Sequence, residues 1–178
     1  MATLAGPLTT DSGDKAGWGW VYGGCGACDQ CQAGLQFHCR NSPEYYGVSD
    51  TNQGSFSTYA VKPASHVSKI PDEIDLAVAA PFLCAGQTVM TPLIRRGVRN
   101  GDRVGVLGIG GLGHLAIQFA SKMDAEVVVF SSTENKREEA LTLGAKEFYV
   151  INELETKKPE KDIDVLLVTT SKHPDWAT

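Results

Sequence analysis

The chain has 178 residues, of which 42% are hydrophobic, 21% charged and 8% aromatic. This composition lies in the ordinary globular range and excludes disordered, collagen-like and coiled-coil proteins. Sixteen Lys and Arg residues against 21 Asp and Glu residues give a net charge of −5. A polyanion such as DNA or an acidic membrane would therefore be repelled on average, and we expect no nucleic-acid partner and no membrane association.

The N-terminal residues contain no recognisable targeting signal. Residues 1–13 have no apolar periodicity and contain two glycines and a proline, which predicts a disordered start. The first ten residues include no Lys or Arg and no long apolar run, so we expect a cytoplasmic protein without a secretory signal. The longest uncharged stretch, 76–94, contains Pro81 and Pro92, and we interpret it as buried protein and not as a membrane span.

Four of the five cysteines lie within fifteen residues, in the order Cys25, Cys28, Cys31 and Cys39. Four thiols can enclose one tetrahedral ion with no open position, which predicts a structural zinc site. Glycines at 23, 24, 26 and 34 supply the bends that wrapping an ion requires. Disulfides and an iron–sulfur cluster are the alternatives, although the spacing matches neither usual ferredoxin pattern. His38, beside Cys39, could also replace one thiolate.

Two short strands and a broken helix are predicted next. Ser55–Val61 and Ser65–Ile70 are rich in aromatic, β-branched and hydroxyl residues and are separated by a turn at 62–64. Residues 74–94 predict a helix in two pieces, because proline removes a backbone donor and clashes with the preceding turn. Cys84 lies in this region, and a lone cysteine in an apolar run is usually a small buried hydrophobe.

From residue 104 onward, strands and helices alternate. The pattern predicts strands at 104–107, 126–130, 147–151 and 164–169, and helices at 112–123 and 134–143. Such alternation predicts a parallel sheet and an α/β fold. Since the sheet would end at its fourth strand, we expect Val127–Phe130 and Val165–Val168 to expose apolar faces and to favour association between copies.

A glycine-rich turn joins the first of these strands to its helix. The segment Gly108-Ile109-Gly110-Gly111-Leu112-Gly113 fits the pattern G-x-G-x-x-G. The first glycine permits the tight turn, the second lets the backbone approach a pyrophosphate, and the last lets the helix pack close to the strand. The free N–H groups at the helix N-terminus hold the anionic oxygens. The predicted cofactor-binding residues here are Gly108, Gly110, Gly111, Leu112 and Gly113.

The segment after the second strand favours NADP over NAD. It contains three hydroxyl side chains and then two cations, at Ser131, Ser132, Thr133, Lys136 and Arg137. An Asp or Glu that binds the ribose of NAD is usual at this point, whereas hydroxyls and a cation suit a 2′-phosphate. Alternatively, Ser132 or Thr133 caps the next helix and the cations form a solvated face. Glu134 could also reach a ribose.

Taken in order, these motifs resemble a known family. The four-cysteine lobe, the β segment, the string APFLCAGQTV at 80–89 and the turn at 108–113 occur in this order in zinc-dependent medium-chain alcohol dehydrogenases. Residues 14–171 resemble that family, and the string and the hydroxyl-Lys segment resemble its NADP-dependent cinnamyl-alcohol-dehydrogenase-like group. The resemblance implies a partial GroES-like catalytic domain with the structural zinc lobe at 14–80. It implies the first half of an NADP-binding Rossmann domain at 81–178.

The resemblance also implies an activity. It implies hydride transfer between NADP(H) and a small alcohol or aldehyde, with zinc polarising the substrate oxygen. Cys84 would be one ligand of the catalytic zinc, Thr88 would lie near the nicotinamide, and Ser131, Ser132, Thr133 and Lys136 would hold the 2′-phosphate. A homodimer is one possible assembly.

The chain also departs from the family. Members are about twice this length, and they carry a second cysteine and a Gly-His-Glu histidine upstream of the matching region. We therefore expect an internal fragment that does not turn over substrate alone. The alternative is a non-catalytic nucleotide-binding or interaction remnant.

Overall fold

The computed structural model describes residues 11–49 and 57–171. The chain divides into two compact units, Met1–Cys84 and Ala85–Thr178. Residues 1–10 of the expected disordered start lie outside the described residues. In the described part of the chain, no single helix is long and apolar enough to cross a membrane. Two consecutive helical segments with a bend between them, Leu76–Leu83 and Ala85–Arg96, would together be long and apolar enough, judged by length and composition alone.

The first unit is built from short strands and one-turn helices. The strands pair antiparallel, Ala16–Trp18 with Val67–Lys69 and Val21–Gly23 with Glu44–Tyr45, and Gly17 lies opposite Ser68 in the first pair. The strands and helices are β1 (Ala16–Trp18), β2 (Val21–Gly23), α1 (Asp29–Gln32), β3 (Glu44–Tyr45), β4 (Val67–Lys69) and α2 (Leu76–Ala79).

The predicted strand at Ser55–Val61 is wrong where it can be compared. Residues 57–61 form no strand, and 55–56 lie outside the described residues. The neighbouring Lys62 places its ammonium over the rings of Tyr46 at 4.8 Å and Tyr22 at 5.2 Å, so a cation–π cluster positions this segment. The second predicted strand is confirmed only at Val67–Lys69, since residues 64–66 form a 3₁₀ turn.

Within residues 85–171, the second unit forms a four-stranded parallel sheet with its helices, as the alternating pattern predicts. Across the sheet, the strands follow one another in the order Glu147–Val150, Glu126–Ser131, Arg103–Leu107 and Val165–Val168, and each of these pairings is parallel. The α/β fold class is confirmed. The elements are α3 (Ala85–Arg96), β5 (Arg103–Leu107), α4 (Gly111–Lys122), β6 (Glu126–Ser131), α5 (Arg137–Thr142), β7 (Glu147–Val150) and β8 (Val165–Val168).

The core of this unit lies on the two central strands. Val104 and Val106 of β5 and Val127–Val129 of β6 are 0% exposed. The expectation that Val127–Phe130 exposes an apolar face is wrong, because β6 lies between β5 and β7. The expectation holds for β8 at the sheet edge, where Leu166 and Val168 are each 42% exposed.

A buried arginine joins the N-terminal ends of three neighbouring strands. Arg103 at the start of β5 contacts Glu126 of β6 at 2.8 Å and Glu147 of β7 at 2.9 Å. The Arg103 hydrogen bond, followed by one from the Tyr149 hydroxyl, lowers the pKa of Glu147 below its ordinary value of 4.5. The sequence pattern did not predict this network. Charged residues are usually exposed, and Arg103 is buried because it is paired with the two glutamates.

Candidate metal centre and dinucleotide site

The structure brings the four clustered cysteines together. Their sulfur atoms all lie within 4.8 Å of one another, and the Sγ atoms of Cys25 and Cys31 are 4.0 Å apart. A tetrahedral zinc ion with Zn–S bonds of about 2.3 Å places its sulfurs about 3.8 Å from one another. The cluster therefore fits a four-thiolate zinc ion after a small inward movement of the sulfurs.

Local backbone geometry places these sulfurs. Cys31 lies on α1, and Cys39 follows a 3₁₀ turn at Gln36–His38. A side chain on Gly24 would bring its Cβ within 3.1 Å of the Cys31 sulfur, a tight contact, so a glycine favours close approach of the backbone there. Gly26 has φ +68°, a left-handed conformation that turns the chain between the first two ligands.

Backbone N–H groups point at the sulfurs and favour their thiolate form. The N–H groups of Cys25 and Ser42 both donate to the Cys39 sulfur at 3.3 Å and lower the pKa of Cys39 to about 6. The N–H of Arg40 is the largest cause of a lowered pKa at Cys28. Burial raises the pKa of Cys31, because its thiolate would be desolvated. A divalent cation would compensate that cost, so the donor set suits a metal that binds thiolates.

Two alternatives for this lobe, a disulfide and a His38 ligand, find no support in the structure. All five cysteines are free thiols, so no disulfide forms. His38 packs edge-on against Phe37 and is not one of the clustered ligands. Across residues 11–49 and 57–171, the four-cysteine group is the one set of three or more His, Cys, Asp or Glu side chains placed to hold a metal. Cys84 lies outside it, exposed just before α3.

The glycine-rich turn lies at the C-terminal edge of the parallel sheet. Gly108 follows β5 with φ +94°, which favours glycine, and its N–H donates to the Phe130 carbonyl at 2.8 Å. A Cβ on Gly113 would lie 2.9 Å from the carbonyl carbon of Gly108 and closer still to its oxygen. Gly110 and Gly111, in contrast, face open space, with nothing within 4 Å of a Cβ. Leu112, half-buried in the first turn of α4, completes the motif.

A lysine from the segment after β6 contacts this turn. The ammonium of Lys136 donates to the carbonyl of Ile109 at 2.5 Å. Ser131 is buried at the end of β6, whereas Ser132 and Thr133 are exposed. The Thr133 hydroxyl donates to the Asn135 side chain and makes no cap hydrogen bond to the following helix. The structure therefore places one cation, Lys136, against the glycine turn, and the hydroxyl residues lie in the segment between β6 and that lysine.

The neighbouring ions Glu134 and Arg137 bind each other. The Arg137 guanidinium makes two contacts to the Glu134 carboxylate and donates to the Phe148 carbonyl at 3.0 Å. That ion pair lowers the pKa of Glu134. Arg137 thus binds Glu134 and the Phe148 carbonyl, whereas Lys136, the cation assigned to the 2′-phosphate, contacts the glycine turn. Thr88 is exposed in the first turns of α3.

One residue that supports the turn was missed by sequence reasoning. The hydroxyl of Thr169, just after β8, contacts the carbonyl of Leu107 at 3.0 Å and that of Gly108 at 2.8 Å. Its position directly after a parallel strand could have identified it from the sequence, because the carboxyl ends of such strands meet at one edge of the sheet.

Comparison with known proteins identifies the family. The profile of the alcohol dehydrogenase GroES-like domain matches residues 6–72, and the profile of zinc-binding dehydrogenase matches residues 111–176. The parallel sheet and the four-cysteine cluster agree with these two matches. The chain belongs to the zinc-dependent medium-chain alcohol dehydrogenase family.

Individual relatives agree with this assignment. Cinnamyl alcohol dehydrogenase 8 of Arabidopsis thaliana is 40% identical over 145 residues, which is 78% of this chain and 40% of the relative. NADP-dependent alcohol dehydrogenase C 1 of Mycolicibacterium smegmatis is 37% identical over 92% of this chain and 49% of the relative. The crystal structure of a CAD from Helicobacter pylori complexed with NADP(H) superposes with a TM-score of 0.81 at 32% identity, over 93% of this chain and 48% of that one. The chain spans about half the length of the curated relatives it matches.

Proposed function

We propose that the chain forms the structural-zinc lobe and the first half of the dinucleotide-binding unit of an NADP-dependent alcohol dehydrogenase. In this proposal, residues 14–80 belong to the GroES-like catalytic domain and 81–178 to the Rossmann domain. The division of the chain at Cys84 and Ala85 and the matched ranges 6–72 and 111–176 support this assignment.

The observation that carries the proposal is the position of Lys136. Its ammonium lies against the glycine turn, and the acidic residue of the same segment, Glu134, is held by Arg137. A 2′-phosphate placed beside the turn would meet a lysine and the hydroxyls of Ser132 and Thr133 and not a free carboxylate. The pyrophosphate would lie over Gly110 and Gly111, where the backbone is open and α4 begins.

The reaction proposed for the whole dehydrogenase is hydride transfer between NADP(H) and an alcohol or aldehyde. When bound, NADP supplies the hydride acceptor, and a catalytic zinc supplies Lewis acidity at the substrate oxygen. For this chain we propose that Cys84 is one ligand of that zinc and that Thr88 lies beside the nicotinamide. The clustered cysteines, with no open coordination position, would hold a second, structural zinc. The five cysteines form no disulfide bonds with one another, which also favours the cytoplasm as the compartment.

Cofactor binding tests the proposal. Calorimetric titration of the purified chain should show tighter binding of NADPH than of NADH. Lys136→Ala should reduce NADPH affinity by about tenfold or more and leave NADH little changed, because a charge-assisted contact is worth about 1.5–3 kcal/mol. Lys122→Ala is the control, since Lys122 ends α4 at the opposite end from the glycine turn. Equal affinities for the two cofactors, or no binding of either, would overturn the assignment.

Activity needs a separate assay. We propose to measure aldehyde-dependent oxidation of NADPH in a full-length dehydrogenase that carries these residues. The rate should disappear in the Cys84→Ser variant, because a serine hydroxyl is a poor substitute for a thiolate zinc ligand. A rate that survives the substitution would remove Cys84 from the proposed catalytic site.

A further inference from the structure

Hydrogen bonds to the sulfurs of the cysteine cluster come largely from backbone N–H groups. Cys28 donates to the Cys25 sulfur at 3.4 Å, and Cys25 and Ser42 donate to Cys39. Four thiolates around a divalent cation carry a net charge of −2, so every donor at a sulfur offsets part of that charge. Backbone donors are present whatever side chain occupies the position.

Asn41 differs from these donors because its hydrogen bond comes from a side chain. Its amide Nδ2 donates to the Cys25 sulfur at 3.3 Å. Cys25 is an exposed member of the cluster, whereas Cys31 and Cys39 are buried. The Asn41 amide therefore lies at the sulfur that water and competing ligands can reach.

The neighbouring residue restrains the backbone that carries Asn41. Arg40 forms a two-point contact with the carboxylate of Asp29, at 2.6 and 2.8 Å. Asp29 begins α1 directly after Cys28, and Arg40 follows Cys39. The ion pair thus connects the segment after the second ligand to the segment after the last one and restrains the chain on which Asn41 lies.

We propose that Asn41 is a positioning residue of the metal centre, which holds the Cys25 sulfur in place at the metal and slows release of the ion. The inference rests on the proposed structural zinc site. The amide hydrogen bond orients the Cys25 sulfur and withdraws electron density from it, so the thiolate is stabilised without protonation. Hydrogen-bond partners of metal ligands commonly change metal affinity by about 10–100-fold when removed.

The test compares three variants of the zinc-loaded and Co²⁺-substituted chain. Asn41→Ala removes the donor, and Asn41→Asp places a carboxylate beside the thiolate. Gln32→Ala is the matched control, because the Gln32 amide donates within the same lobe but to the carbonyl of Gly26 and not to a sulfur. The readouts are the rate of zinc transfer to a chromogenic chelator and the energy of the sulfur-to-Co²⁺ charge-transfer band.

The expected result is about tenfold faster zinc release in Asn41→Ala, and faster release again in Asn41→Asp. The charge-transfer band should move to lower energy in Asn41→Ala, because a sulfur without its donor gives up an electron more easily. Gln32→Ala should keep the wild-type band. An unshifted band in Asn41→Ala, or equal effects in Asn41→Ala and Gln32→Ala, would overturn the inference. Failure of the wild-type chain to bind zinc or Co²⁺ would instead overturn the proposed metal site.

Discussion

Substitution of Gly113 by alanine should destabilise the second unit directly. The new Cβ would lie 2.9 Å from the carbonyl carbon of Gly108 and 3.0 Å from the Thr169 hydroxyl. Real Cβ atoms do not approach backbone this closely, so α4 must move away from the end of β5. Overpacking of this kind costs about 1–3 kcal/mol, which lowers the folding equilibrium constant by about 5-fold to 150-fold.

Two neighbouring glycines provide matched controls within the same motif. A Cβ on Gly110 or Gly111 meets nothing within 4 Å, and neither residue has a positive φ. Gly111→Ala should leave the free energy of unfolding unchanged or raise it by about 0.5–1 kcal/mol, because alanine favours the helix over glycine. Gly110→Ala should also fold normally, yet it should weaken NADPH binding if the pyrophosphate lies over this backbone.

The assay is urea unfolding of the zinc-loaded chain followed by circular dichroism at a helix wavelength, together with calorimetric NADPH titration. Gly113→Ala should lower the unfolding midpoint without a change in slope. If Gly113→Ala were as stable as the wild type, or if Gly110→Ala and Gly113→Ala were equally destabilised, the steric argument would be wrong.

Three further outcomes follow from contacts described above. Glu147→Gln should destabilise the chain at pH 6, and the difference should shrink as the pH is lowered. Arg103 lowers the pKa of Glu147, so its stabilisation is present above the unfolded-state pKa and is lost as pH falls through the folded-state pKa. Urea titrations across that range would contradict this if the difference between the two proteins stayed constant. Thr169→Val should lower the free energy of unfolding by about 1 kcal/mol, because it removes the hydroxyl that contacts the carbonyls of Leu107 and Gly108. An unchanged midpoint of urea unfolding would show that this contact is dispensable. Removing zinc with a chelator should abolish the near-ultraviolet circular dichroism of Trp18 and Trp20, because metal binding and folding are coupled in small lobes. The helical circular dichroism of the second unit should persist. Retention of the tryptophan signal would contradict that coupling.

The sequence predicts the second unit well because its signals are local. The helix at α4 repeats apolar residues at helical spacing, and β5, β6 and β7 are short β-rich runs bounded by turns. The glycine pattern then fixes where strand and helix meet. Lys136 could be proposed from its distance along the chain after β6, but only the structure shows that it and not Arg137 contacts the turn.

The first unit was harder to predict because its pairings are distant and short. β1 is three residues long and pairs with β4, about fifty residues later in the sequence. A three-residue strand has too few positions to show an alternating pattern, so β1 and β2 gave no signal. The cysteine spacing alone predicted the cluster, because ligand geometry requires four thiols within reach whatever secondary structure surrounds them.

The spacing of those cysteines has a consequence for the order of events during synthesis. All four sulfurs come from residues 25–39, so the ligand set is complete as soon as residue 39 has left the ribosome. Closing so short a loop costs little chain entropy and is rapid. The lobe therefore has what it needs to capture its ion and fold before β5 and the glycine turn have been translated, as N-terminal units generally fold first. Zinc supply and assembly of the parallel sheet are consequently separate steps for the growing chain.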